Sequence, residues 1–197
     1  MTSIPQMNLF FGAKANNVLQ LVREMLTEAE SMFGERDKTW TFLGVEFKPN
    51  GPSIIYYPNN QVSICLSDSV AEINPYNQQF IFQLSHEVCH LLFPTGRTVA
   101  NNLEEGLATW FSKFFTDKFD SDKNYAINSI KNSNYYDVYL LAENLIKEDI
   151  EAIKKMRQLN NTISDLTEKE IRSLNLNLSD FVITEMITPF QGSRPTI

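Results

Sequence analysis

The stretch QLSHEVCHLLF, residues 83–93, constrains this chain more than any other. It contains His-Glu-x-x-His as His86, Glu87 and His90, and these two histidines are the only ones in the sequence. On a helix, side chains four apart lie one turn apart on the same face. Both imidazoles can therefore reach one metal ion. Glu87 sits between them, placed to take a proton from water on that metal. The neighbouring residues predict a helix with two unlike faces. Phe80, Ile81, Leu84, Val88 and Leu91 form one apolar stripe at helical spacing. His86 and His90 project to the other side with Gln79 and Gln83, flanked by Phe82 and Phe93. Solvated or core histidines are the plainer explanation of such a pair. A chain that places all of its histidine one turn apart around a glutamate points instead to a metal site.

The 197 residues suit one domain, with an α/β lobe over residues 1–95 and a helical lobe over residues 96–197. A hydrophobic share of 43%, with 12% aromatic, is enough for a real core. The net charge of −7 argues against nucleic acid or an anionic membrane surface as partner. No apolar run approaches the roughly 20 residues of a membrane span. The N-terminal MTSIPQMNLFFGAK has no basic stretch ahead of a long apolar core, so no signal peptide is read. Two cysteines, Cys65 and Cys89, make no disulfide framework. These features together lead us to expect a cytoplasmic protein. Cys89 falls within the histidine motif and is open as a metal ligand, although a small buried apolar role is simpler.

In chain order, residues 16–33 predict an amphipathic helix, capped by Asn16 or Asn17 and ended by Gly34. Three strands follow, over residues 40–47, 53–57 and 61–66, with Gly44 a bulge or bend. Turn residues separate them, so the sheet is expected to be small and mostly antiparallel. Asn74-Pro75 should open the histidine helix, which Pro94-Thr95-Gly96 stops after Phe93. A second helix over residues 103–117 follows an Asn101-Asn102 cap. Beyond it we expect one long helix over residues 135–159. A shorter helix should start at the Thr167-x-x-Glu170 capping box, and a last one should run over residues 179–188. The fold class is α+β.

A catalytic zinc keeps three protein ligands and one open position. Glu105, fifteen residues after His90, lies in Leu103-Glu104-Glu105-Gly106-Leu107-Ala108. A second helix packed antiparallel to the first could bring its carboxylate to the metal. With Asn102 as cap, Glu105 could instead complete a capping box. Here the sequence resembles the gluzincin metallopeptidases, in which His-Glu-x-x-His supplies two ligands. A glutamate on a following helix, often within Glu-Gly-hydrophobic-Ala, supplies the third. HEVCH and EGLA stand here in that order, and the resemblance covers about 23 residues. A third histidine of the metzincin kind is absent.

The resemblance implies a zincin-like fold and a zinc ion held by His86, His90 and Glu105. It also implies hydrolysis of a peptide or protein substrate, with Glu87 as general base toward a zinc-bound water. Family members add a tyrosine or histidine that stabilises the oxyanion. Of Tyr135, Tyr136 and Tyr139, the resemblance favours Tyr136; core or surface packing remains the alternative for all three. It further implies an extended peptide along a sheet edge, with residues 61–66 the expected strand. Glu104 and Glu105 diverge by about 100° on one helix, so only one can face the metal. Ala108 and Ser112 continue the face of Glu105, whereas Leu107 and Phe111 continue that of Glu104. Two other readings stay open: a catalytically weak zincin-fold protein that binds or regulates a partner, and zinc hydrolysis of a non-peptide amide. The retained Glu87 speaks against a purely structural site.

Overall fold

A computed structural model describes residues 13–71, 77–119 and 124–192. The architecture is α+β, with the helical C-terminal half that the sequence predicts. The first helix, α1 (Ala13–Phe33), buries Leu21, Val22, Met25, Ala29 and Phe33 against the core. It is already helical at Ala13, so the expected start at Asn16 or Asn17 falls inside it. Gly34 ends it in the left-handed region, at φ 94°, and donates its N–H to Glu30 O at 2.9 Å.

The sheet corrects the expected topology. Strands β1 (Thr41–Lys48), β2 (Ser53–Tyr57) and β3 (Gln61–Ser67) lie in the order β1-β3-β2. β2 and β3 form the expected hairpin, closed through Asn59 and Asn60, both at positive φ. β1 instead pairs with β3 in parallel, so the sheet is mixed rather than mostly antiparallel. The reason is the connection after β1, which passes over the end of β3 before β2 begins. A Cβ on Gly51 would lie 2.3 Å from the Leu66 carbonyl carbon, so only glycine permits this crossing. Gly44 is the predicted bulge, where the register of β1 slips. Val62, Ile64 and Leu66 of the central strand are fully buried.

One consequence bears on substrate binding. β3 is hydrogen-bonded on both sides, so the strand expected to receive a peptide has no open edge. β2 is the edge strand nearest the histidines.

Helix α2 (Gln78–His90) carries the motif. The Asn77 side chain caps it, accepting from the Gln79 N–H at 2.9 Å. The expected Asn74-Pro75 start lies outside the described residues. The helix stops at His90, short of Phe93, in a tightened turn with Leu91, Leu92 and Phe93 each bonding three residues back. The predicted stripe is the buried one: Phe80, Ile81, Leu84, Val88 and Leu91 are at most 1% exposed. Burying a side chain of this size contributes about 1.5–3 kcal/mol.

Helix α3 (Asn102–Phe119) packs against α2, and its Ala108 and Ser112 are fully buried. It also crosses α5 (Tyr136–Glu148). At that crossing a Cβ on Gly106 would meet Val138 O at 2.1 Å. The glycine of the EGLA run is thus the point where two helix backbones touch. In the chain, α4 (Tyr125–Lys131) connects them.

The expected long helix over residues 135–159 is two helices, α5 and α6 (Ala152–Leu159). Asp149 breaks it: its backbone is extended and its side chain accepts from the Glu151 N–H at 2.9 Å. The break aims Arg157 back at the core. Its guanidinium donates to Phe33 O at 2.9 Å, Gly34 O at 2.6 Å and Leu92 O at 3.1 Å. It thereby satisfies the open carbonyl ends of α1 and α2 together. Helices α7 (Glu168–Ser173) and α8 (Asp180–Ile187) complete the chain, with the Thr167–Glu170 capping box formed as predicted. Among the described residues no helix is long and apolar enough to cross a membrane.

Gly106→Ala tests the α3–α5 crossing. Alanine favours an exposed helix interior by about 1 kcal/mol over glycine. Here the clash should outweigh it by roughly 1–3 kcal/mol, lowering Tm by several degrees in thermal unfolding followed by circular dichroism.

Candidate metal centre

His86 and His90 are held at one site by α2, and α3 brings its first turn against them. The two Nε2 atoms lie 3.3 Å apart. Glu105 Oε2 is 3.3 Å from His86 Nε2, and Glu105 Oε1 is 3.8 Å from His90 Nε2. His86, His90 and Glu105 form the one potential metal-holding group of three found among the described residues. The donors are two imidazole nitrogens and a carboxylate, types that zinc accepts. Two ligand atoms at 2.0–2.1 Å from a tetrahedral centre stand about 3.3–3.4 Å apart, which is the nitrogen separation seen here. The geometry therefore fits a divalent metal with one position open.

Glu104 has a different task. Its Oε1 accepts from His90 Nδ1 at 2.8 Å. That bond commits Nδ1 as the N–H and turns Nε2 toward the group of three, the orientation a carboxylate gives a metal-ligating histidine. Its face on α3 had suggested core packing, and sequence reasoning missed this bond. The available signal was general: a histidine ligand usually donates its second N–H to a carboxylate or carbonyl.

The capping alternative for Glu105 does not hold. Asn101 is the cap: its Oδ1 accepts from the Glu104 N–H at 2.9 Å. Cys89 is fully buried, with its thiol pushed well up by burial, and it is not in the group of three.

Three carboxyl groups crowd this volume. Glu87, Glu104 and Glu105 are each at most 5% exposed. Buried like charges need an offsetting cation. In the metal-free protein His90 supplies one. Burial alone would lower its pKa, but the charge of Glu105 and the hydrogen bond to Glu104 outweigh that and raise it to about 9. The 3.3 Å contact between the two Nε2 atoms is then an N–H···N bond from His90 to His86.

Glu87 is 1% exposed and its Oε2 has no hydrogen-bond partner. With His86 it borders a hollow enclosing about 450 Å³, open solvent included, whose other walls include Phe82, Ile130 and Tyr135. A second hollow of about 330 Å³ lies on the far side, bordered by His90, Glu104, Glu105, Ile54, Tyr56 and Arg97. Tyr135 packs edge-on against the His86 ring, 5.6 Å between centroids, and is itself packed on Phe190 at 4.8 Å. Tyr136, the expected oxyanion residue, is not on this lining. It packs against the cluster of Phe82, Ala126, Ile130 and Tyr139. One position along a helix is a turn of about 100°, enough to exchange the two.

No family model matches this chain, and no curated protein or solved structure matches it significantly.

Two predictions follow from the geometry. Glu105→Ala should abolish stoichiometric metal binding, whereas Glu104→Ala should keep the metal with about 10–100-fold weaker affinity. Chelator competition on both variants separates the roles. The second prediction concerns protons. Because the folded pKa of His90 lies above its ordinary 6.5, the proton stabilises the metal-free fold below pH 6.5. That stabilisation is lost as pH rises through about 9. Metal binding at pH 7 should therefore release about one proton, falling toward zero above pH 9, read by calorimetry in buffers of different ionisation enthalpy.

Proposed function

We propose that the protein is a zinc-dependent metallopeptidase of the gluzincin type. One observation carries this reading: His86 Nε2, His90 Nε2 and the Glu105 carboxylate converge at metal-ligand spacing, with Glu87 buried beside them. The absence of any other histidine leaves no competing ligand of that kind.

Bound zinc would supply Lewis acidity, bringing the pKa of water toward about 7 and polarising the substrate carbonyl. The chain's own residues do the rest. Glu87 is the general base: it borders the hollow with His86 and takes the proton as water attacks the carbonyl carbon. It then hands that proton to the leaving amine. Glu104 holds His90 in the tautomer that frees Nε2. Tyr135 keeps the His86 ring in place by edge-on packing. In this reading Tyr135 also takes over the oxyanion role expected of Tyr136, since of the two it alone borders the hollow.

The substrate is an extended peptide along the outer edge of β2. Pro52, just before β2, borders one hollow, and Ile54 and Tyr56 border the other, so this edge runs past both. The hollow beside Glu87 has apolar walls in Phe82, Ile130 and Tyr135, and among the described residues no lysine or arginine is on its lining. It suits an apolar side chain next to the scissile bond.

Glu87→Gln tests base against scaffold. The variant should keep zinc at wild-type stoichiometry and lose hydrolysis of an apolar-rich peptide library by roughly 10²–10⁴-fold or more. Near-normal turnover in that variant, or wild-type activity that survives chelation, would refute the mechanism.

A further inference from the structure

The geometry points to Ser164 as a positioning residue that fixes the His90 ligand through Glu104; the inference rests on the metal-site reading above. Ser164 lies in a short 3₁₀ turn, Ile163–Asp165, between α6 and α7. It is about 60 residues from Glu104 in sequence and on no element adjoining α2 in the chain. Its hydroxyl donates to Glu104 Oε2, the oxygen that His90 does not use. The same hydroxyl oxygen accepts from the Asn101 N–H at 3.1 Å.

These bonds give the hydroxyl one direction. A serine hydroxyl has a single proton and two lone pairs. The Asn101 N–H occupies a lone pair, and the proton goes to Glu104. The chain of donors therefore runs from Asn101 through Ser164 to the Glu104 carboxylate, which His90 Nδ1–H meets from the other side. Each Glu104 oxygen has one donor. A buried carboxylate with one oxygen left bare would lose a charge-assisted hydrogen bond. It would also be free to rotate about its last torsion, letting the His90 ring turn with it.

The turn that carries Ser164 is itself anchored. Asn101 Nδ2 donates to Ile163 O at 3.2 Å, so one asparagine caps α3, bonds Ser164 and pins the turn. The turn between α6 and α7 thus reaches the metal site by a hydroxyl, although it contributes no ligand.

The test uses the full chain and zinc alone, with affinity read by chelator competition and the fold by thermal unfolding of the metal-free protein. Ser164→Ala should weaken zinc binding about 10-fold, the low end of the effect of removing a group that orients a ligand. Ser164→Thr keeps the hydroxyl and should restore most of that affinity. Asp165→Asn, in the same turn, removes the ion pair with Arg97 and should leave affinity unchanged. Wild-type affinity in Ser164→Ala would overturn the proposal, as would a threonine variant no better than alanine. Equal weakening in Asp165→Asn would also overturn it, by showing that any loosening of the turn suffices. Failure of the wild-type chain to bind zinc would instead sink the metal-site reading itself.

Discussion

Three buried carboxyl groups around two imidazoles set the terms for the rest of this structure. Glu87, Glu104 and Glu105 lie where water cannot screen them. Such a cluster persists only if each charge meets a donor, a dipole or a cation. For Glu104 and Glu105 the fold supplies a dipole, and for Glu104 donors as well. Glu104 and Glu105 occupy the first turn of α3, where the helix dipole favours negative charge. His90 and Ser164 donate to Glu104. The remaining excess of negative charge sits around the two Nε2 atoms, where a divalent cation would offset it.

That arrangement requires α2 and α3 to lie close together, as they do. On α3, Ala108 and Ser112 are small and fully buried, and Gly106 lets α5 press close against α3. The end of α2 needs a separate support, since its carbonyls emerge within the core. Arg157 provides it, bridging Leu92 O to the carbonyls that close α1. The helical C-terminal half therefore acts as a brace: α6 holds the end of the motif helix, and the turn after it holds Glu104.

How much of this was legible in the sequence depends on the range of each contact. The motif helix, its apolar stripe, the Gly34 stop and the Thr167–Glu170 box are local patterns, and the structure shows each, with the helix ending at His90 rather than Phe93. The Glu105 carboxylate was legible through its place one helix downstream. The sheet order was not. Turn residues after β1 look the same whether the chain reverses beside its neighbour or passes over a third strand, and Gly51 reveals its purpose only against Leu66. Breaking the long helix at Asp149 depends on a side-chain bond that competes with helix continuation, and on where Arg157 must reach. Ser164 carries no local mark, because its partner lies about 60 residues away in sequence.

The adjacent glutamates show how an argument from one helix can be sound and still incomplete. Their side chains diverge by about 100°, so only one can reach the metal-facing nitrogens, and that one is Glu105. An imidazole, however, has two nitrogens on different edges of its ring. A helix turn packed beside His90 meets both edges at once. The residue that turns away from Nε2 is thereby turned toward Nδ1, where Glu104 Oε1 accepts at 2.8 Å. Adjacent carboxylates at a helix start are thus suited to divide the work, one beside the metal-facing nitrogen and one holding the ring. Replacing either by a longer or shorter acid would move a carboxylate off its edge of the imidazole, which is why neither position is interchangeable with the other.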